Sequence, residues 1–305
     1  MPAKLLDGKM LAAQYRTQLA TRVAAVKARS GVVRLDAILV NSGDNAARVY
    51  AENQGRACGQ LGIEYKLHEI GSGTTPPTFD DIAGRVLLLN MNEQCTAIML
   101  HMPLPDGVDA YSVQRLITPE KDVEGVNPAN IGNVVYGRSS LAPCTGLAVI
   151  KMLEHTKLDL QGKRVVVVGA SDVVGKPIAV LLMRKDATVT SCNKWTKDLV
   201  DLQRSADVII AAAGVPGLIT PECIAPGGIG PGGCGVVVVD VGVNRVAGND
   251  GKTLTVGDVR FDEVRNAIAP DGWISPVPGG VGPMTVTMLL LNVVTAAEHA
   301  VGIEH

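Results

Sequence analysis

Arg164-Val165-Val166-Val167-Val168-Gly169-Ala170-Ser171-Asp172-Val173-Val174-Gly175-Lys176-Pro177 decides the fold. Its valine run reads as a buried strand, its glycines as a tight reversal and the remainder as the start of a helix. A strand delivered into a helix N-terminus presents backbone N–H groups and the positive end of the helix dipole to a diphosphate. Gly169 makes the turn, and Gly175 lets the helix pack near the sheet. The spacing G-x-S-x-x-x-G is not the usual dinucleotide fingerprint, so a purely structural turn is an equal reading from spacing alone.

Downstream, strands are expected near Thr188–Ser191, Asp207–Ala211 and Val236–Asp240. NAD-preferring enzymes usually end the second strand in Asp or Glu, which accepts from the ribose hydroxyls. Asn193 and Lys194 stand there instead. Lys194 suits a 2′-phosphate, and its alternative is a solvated surface charge. Pro226–Gly235 (PGGIGPGGCG) feeds a strand rather than a helix and reads as a flexible connection.

Upstream, an amphipathic helix is expected over Gly8–Ala28 and strands over Leu35–Val40, Glu64–Ile70 and Ala97–Met102. Asp44 is a candidate N-cap for a helix towards Leu61, and Phe79–Asn90 reads as another helix. Strand and helix alternate in both halves, which argues for parallel sheets covered on both faces. A last helix follows Pro283, runs to about Glu298 and folds back onto the first domain.

At 305 residues the chain is long enough for two domains. A net charge of −2 and 3% aromatics leave no electrostatic or stacking footprint for nucleic acid or an anionic membrane. The apolar runs read as buried strands too short to span a bilayer, and no secretory signal opens the chain. The six cysteines form no C-x-x-C pair, so neither a zinc site nor a disulfide framework is expected, and a reducing cytoplasm is the simplest home. His68 and His155 lack partners at ligand-like spacing and are read as surface residues.

The string Pro276-Val277-Pro278-Gly279-Gly280-Val281-Gly282-Pro283-Met284-Thr285 stiffens the backbone with prolines and strips side chains with glycines. By turn chemistry it is a rigid turn before a helix, across which a flat ligand can approach the main chain. It also resembles, letter for letter, a signature of the methylenetetrahydrofolate dehydrogenase/cyclohydrolase family, which carries G-[RA]-S-x-x-V-G-x-P where this chain has Gly169–Pro177. The resemblance implies an α/β fold of two domains flanking a cleft: residues 1–146 plus 284–305 as an N-terminal folate-binding catalytic domain, and residues 147–283 as a Rossmann-like dinucleotide domain. It also implies a homodimer, no metal, and NADP favoured over NAD. Gly169, Ala170, Ser171, Lys194 and Val243 would meet the dinucleotide, and Pro278, Gly279 and Gly280 the folate.

The family's substrate half carries Tyr-x-x-x-Lys, Gln-x-Pro-x-Pro and Lys-Asp-Val-Asp-Gly. This chain reads Tyr50-Ala51-Glu52-Asn53-Gln54, His101-Met102-Pro103-Leu104-Pro105 and Lys121-Asp122-Val123-Glu124-Gly125. Tyr50 suits the aromatic part of a folate, with a half-buried core tyrosine as its alternative. Asp122 suits the donor edge of a 2-amino-4-oxopterin, and otherwise reads as a loop or capping aspartate. The family's lysine, the group proposed for opening the methenyl ring by water, is replaced by Gln54, whose amide does not titrate. His101 replaces the lysine's glutamine partner and, at an unperturbed pKa of about 6.5, is a candidate for taking over the proton work, with a structural histidine as the alternative. In Pro143-Cys144-Thr145-Gly146, which resembles the family's Pro-Cys-Thr-Pro joint, Cys144 reads as part of a hinge that Gly146 loosens.

Hydride removal from 5,10-methylenetetrahydrofolate needs placement, because the substrate's nitrogen lone pairs drive it. Hydrolysis of the methenyl product needs acid–base help. The expected activity is therefore the dehydrogenase, with cyclohydrolase weakened, lost or rerouted through His101. A fully bifunctional enzyme and a non-catalytic folate- and dinucleotide-binding relic are the alternatives.

Overall fold

A computed structural model of the chain describes residues 1–40, 45–71, 76–138, 141–247 and 253–303. The chain opens with β1 (Lys4–Leu5), α1 (Gly8–Ala28), β2 (Arg34–Val40), α2 (Asn45–Gln60) and β3 (Glu64–Ile70). It continues with α3 (Phe79–Met91), β4 (Ala97–Leu100), α4 (Ala110–Gln114), α5 (Pro128–Tyr136) and α6 (Cys144–His155). Next come β5 (Arg164–Val168), α7 (Gly175–Met183), β6 (Thr188–Cys192), α8 (Leu199–Arg204) and β7 (Val208–Ala211). The last elements are β8 (Val237–Asp240), β9 (Asn244–Ala247), β10 (Thr253–Val256), α9 (Phe261–Ala267), β11 (Trp273–Ile274) and α10 (Val281–Ala300). Asp44, the candidate N-cap of α2, lies outside the described residues.

The chain divides into two compact units, Gln14–Cys144 with Val286–His305, and Met1–Ala13 with Thr145–Thr285. In the first, three parallel strands are ordered β3-β2-β4. All seven residues of β2 are buried, as expected of a central parallel strand. The helix α3 is started by a reciprocal capping box between Thr78 and Asp81, and its Ile82, Val86 and Leu89 pack with Ile38, Ile98 and Leu100. α5 opens with Asn127 as N-cap and Pro128 in the first turn, and ends on Gly137 at φ 75°. His68 is not a surface residue: it is buried, with Nε2 2.6 Å from the Asp36 Oδ1 that also accepts from Arg34 Nη2 at 2.6 Å. Burial alone would raise the Asp36 carboxyl, but the bonds from Arg34 and His68 hold it below its ordinary range.

The second unit holds a six-stranded parallel sheet in the order β1-β11-β8-β7-β5-β6 and an antiparallel β9–β10 hairpin. β7 and β8 are buried along their whole length. Residues 1–13 cluster with this unit. The reason is pairing: β1 continues the sheet beyond β11, and Lys4 Nζ sits 5.2 Å from the Trp273 ring centroid. His155 is likewise not on the open surface; it packs edge-on against Trp273.

Pro226–Gly235 is not a flexible connection. Gly228 N donates to Ala225 O, Gly230 N to Cys234 O and Val236 N to Gly228 O, while Gly232 N donates to Asp207 Oδ1 at 2.6 Å. Gly228 is held at φ 71° with backbone of residues 267–269 where a side chain would be, so the glycines serve close packing rather than freedom. Gly146 acts similarly: it is buried, and a Cβ there would meet Leu181 Cδ1 at 2.7 Å, so its lack of a side chain tightens the contact between α6 and α7. Among the described residues one helix, α10, is long and apolar enough to cross a membrane, contrary to expectation, but 67% of that stretch is buried inside the protein as in a core helix.

Candidate active site

In the first unit, α2 presents Tyr50 and Gln54 one turn apart. The Tyr50 ring is 44% exposed and meets the His101 ring edge-on, centroids 5.8 Å apart. His101 follows β4, and its N–H donates to Ile38 O at 2.9 Å. Ala47, Tyr50, His101, Met102 and Glu124 line a pocket of about 340 Å³. Burial pushes the His101 imidazole down to about 4, so it is neutral at physiological pH, with Nε2 3.5 Å from Tyr65 Oη. The unperturbed titration expected of it is therefore absent.

Asp122 is tied to β4 by a bridge to Ile98 and is wholly buried. Its Oδ2 accepts from Asn127 N and from Asn130 Nδ2, both at 2.8 Å, while Oδ1 has no partner. A carboxylate engaged in this way holds its own loop and does not line the pocket. The acid that lines it is Glu124, two residues on, whose carboxyl is pushed up to about 7 by burial and by the neighbouring Asp122 charge. Glu124 entered the sequence reading only as a departure in Lys121–Gly125. Which of two alternating acids faces a pocket is set by the strand register, which spacing does not reveal.

Gln54 is nine-tenths buried or more, donating from Nε2 to Met99 Sδ at 2.8 Å while Oε1 has no partner. It lines a neighbouring pocket that shares Tyr50. Cys144 is buried, its Sγ 3.1 Å from Val123 O, and burial raises its thiol well above the ordinary range, which leaves it inert as a nucleophile.

In the second unit, the strand β5 ends in Gly169 at φ 117°, where a Cβ would collide with Ala212 of the adjacent loop. Gly175 leaves no room for a Cβ either, because Gly169 O occupies it. Ser171 Oγ accepts from Gly175 N at 3.3 Å, and Val174, ahead of α7, offers no side-chain cap. Ser171, Asp172 and Val173 are exposed, so their backbone stands open at the helix N-terminus, the arrangement a diphosphate needs. Lys194, exposed beyond β6, sits 5.0 Å from the Trp195 ring centroid. Val243 is 67% exposed beyond β8. Two buried aspartates missed from the sequence organise these loops. Asp240 accepts from Gly242 N and Val259 N at 2.9 Å, and Asp258 accepts from Ala213 N and Gly214 N at 2.7 and 2.9 Å. Pro278 is exposed, Gly279 has φ 112° and its carbonyl accepts from Lys9 N, and Gly280 is buried where Gly8 has no side chain to intrude.

The family description "Tetrahydrofolate dehydrogenase/cyclohydrolase, catalytic domain" matches residues 6–124, and its "NAD(P)-binding domain" counterpart matches residues 143–301. The chain belongs to this family. It is 42% identical over 298 residues to the bifunctional protein FolD of Moorella thermoacetica, covering 98% of this chain and 100% of that one. Among solved structures, the bifunctional FolD methylenetetrahydrofolate dehydrogenase/cyclohydrolase of Campylobacter jejuni superposes with a TM-score of 0.87 at 36% identity, covering 97% and 99% of the two chains. The Trypanosoma brucei FolD, solved with NADP and an inhibitor, gives 0.86 at 33% identity and 99% of both chains.

As a tetrahydrofolate dehydrogenase/cyclohydrolase family member, the chain combines an α/β catalytic domain with an NAD(P)-binding domain. The glycines, the open helix start and the absence of an acid after β6 fit a dinucleotide. Among the described residues no group of three His, Cys, Asp or Glu side chains is placed to hold a metal.

Proposed function

We propose that this family member oxidises 5,10-methylenetetrahydrofolate with NADP and hydrolyses the resulting methenyl group poorly. The observation that carries the reading is Gln54: a buried amide, bonded to a thioether, stands one helical turn from the tyrosine of the folate pocket. It holds no exchangeable charge to activate water. Tyr50 offers its exposed ring to the aminobenzoyl group, and Glu124, when ionised, accepts the two parallel N–H groups of the pterin. Asp122 keeps the Glu124 loop in register and raises its carboxyl. Pro278, Gly279 and Gly280 would meet the folate through main chain.

NADP supplies the hydride acceptor when bound. Gly169, Ala170 and Ser171 would hold its diphosphate, Val243 would lie against its nicotinamide half, and Lys194 would leave Trp195 to meet the 2′-phosphate. Removing a hydride from the bridging carbon leaves a cation that the two folate nitrogens stabilise, so the protein's part is placement and exclusion of water.

Glu124 favours a second reading. A carboxyl titrating near 7 in the same pocket is itself a candidate acid–base, which would keep the enzyme bifunctional. His101 is the weaker candidate because, held neutral, it has little proton affinity near pH 7. Absorbance separates the readings: methenyl product should accumulate beside NADPH in a dehydrogenase with a weak second step, and should drain away in a bifunctional enzyme. No NADPH on adding methylenetetrahydrofolate and NADP would leave only the binding relic. Homodimerisation belongs to the same proposal, and sedimentation of the purified chain tests it.

A further inference from the structure

The pocket beside Gln54 is not used by the chemistry above. It has a volume of about 310 Å³, shares the Tyr50 ring with the folate pocket, and is further lined by Arg16, Asn53, Gln54, Arg56 and Gln60. None of its lining residues is acidic. Arg16 Nε is buried without a partner, and Arg56 donates to a neutral amide, Asn53 Oδ1. Gln54 Oε1, also buried, lacks a donor. A buried, unmet guanidinium donor on Arg16 beside the buried, unmet amide acceptor of Gln54 is costly to leave in a protein unless a ligand completes both, and Arg56 adds an exposed positive charge at the rim.

We propose that this pocket binds the γ-linked glutamate tail of the folate substrate, with Arg16 and Arg56 taking its carboxylates and Gln54 Oε1 accepting from its amide N–H. The assignment rests on the folate reading. An inorganic anion would satisfy the arginines but bring no donor for Gln54, whereas a glutamyl tail carries both groups on one chain. The order of the two pockets matches the order of the substrate: pterin at Glu124 and His101, aminobenzoyl ring at Tyr50, tail at the arginines. Position 54 thereby acquires a binding role in place of the proton chemistry it cannot perform.

Calorimetric titration of the full chain with p-aminobenzoyl-triglutamate and p-aminobenzoyl-monoglutamate tests this without any turnover. The triglutamate should bind about tenfold tighter, the step that a charge-assisted bond or two supplies. That advantage should shrink to about twofold in the double variant Arg16→Gln with Arg56→Gln, and also fall with added salt. Gln60→Glu, an exposed change that needs no refolding of the core, should weaken triglutamate binding by setting a carboxylate in the pocket. Equal affinity for the two fragments, no binding of either, or an advantage that survives both sets of variants would overturn the assignment. Tail binding without NADPH formation from any folate would refute the dehydrogenase and leave the subsite standing, while turnover with no tail preference would do the reverse.

Discussion

At the scale of single residues, the proposed chemistry turns on which groups in the pocket beside Tyr50 change charge near neutrality. His101 has been pushed out of that range by burial, and Glu124 has been pushed into it. A carboxyl raised from 4.5 to about 7 is neutral below that pH and ionised above it, and only the ionised form accepts two N–H groups from a pterin. kcat/KM for methylenetetrahydrofolate should therefore rise with pH through about 7, and Glu124→Gln should flatten the profile as well as lower it. A rise that persists unchanged in the glutamine variant would remove Glu124 from substrate binding. Gln54→Lys puts a titrating group where the amide stands; on the proposed reading methenyl hydrolysis should increase, on the order of 100-fold if the pocket is otherwise competent. No gain on stopped-flow measurement would mean that the pocket around position 54 has been rebuilt beyond one side chain.

At the scale of elements, the glycine turn between β5 and α7 was legible because the requirement is local: a buried valine run, a reversal and a helix start within fourteen letters. Its tolerance is small. Gly175→Ala would drive a methyl into the carbonyl of Gly169, backbone against backbone, so neither side can yield by changing rotamer. Overpacking of that kind costs about 1–3 kcal/mol. Calorimetric Tm should fall by several degrees, and NADP affinity should fall with it because the same displacement opens the phosphate turn. A variant that binds NADP as tightly as the parent would show that the turn is structural only. The capping box of α3 offers a control away from the site, since Thr78→Ala should cost about 1 kcal/mol in denaturant unfolding and leave folate kinetics unmoved. Other elements escaped the sequence for physical reasons. β1 (Lys4–Leu5) is two residues long, too short to show any period, and its place is decided by pairing with Trp273–Ile274, far away in the sequence. The Pro226–Gly235 loop has the composition of a linker, but its carbonyls and amides are spent on a buried turn, a distinction that only tertiary packing makes.

At the scale of the whole molecule, the last helix was expected to return to the N-terminal half, and Val286–His305 does cluster with Gln14–Cys144. What the letters did not reveal is how the return is fixed. Asn292 donates to Val123 O at 2.8 Å and Ala142 O at 3.0 Å, joining α10 to the loop that carries Asp122 and Glu124. Near the end of the same helix, Glu298 is buried and accepts a two-point bond from Arg22, Nε to Oε1 at 2.8 Å and Nη2 to Oε2 at 2.5 Å; Arg22 also reaches Thr295 Oγ1. A polar pair on two mostly apolar helices looks like surface in the sequence, because amphipathic patterning reports faces and not partners. The pair is more easily broken than replaced. Arg22→Met keeps the stem's packing but takes the guanidinium away from a buried carboxylate, which by analogy with other broken buried pairs costs about 3–5 kcal/mol. Pairing Arg22→Met with Glu298→Gln removes the buried charge as well and should restore most of that loss, since what hurts is burying a charge that has lost its guanidinium rather than the missing bond itself. Urea midpoints of the two single variants and the double variant decide it. If the double variant is as unstable as Arg22→Met alone, α10 is held by its apolar face and the Arg22–Glu298 bond merely accompanies that packing.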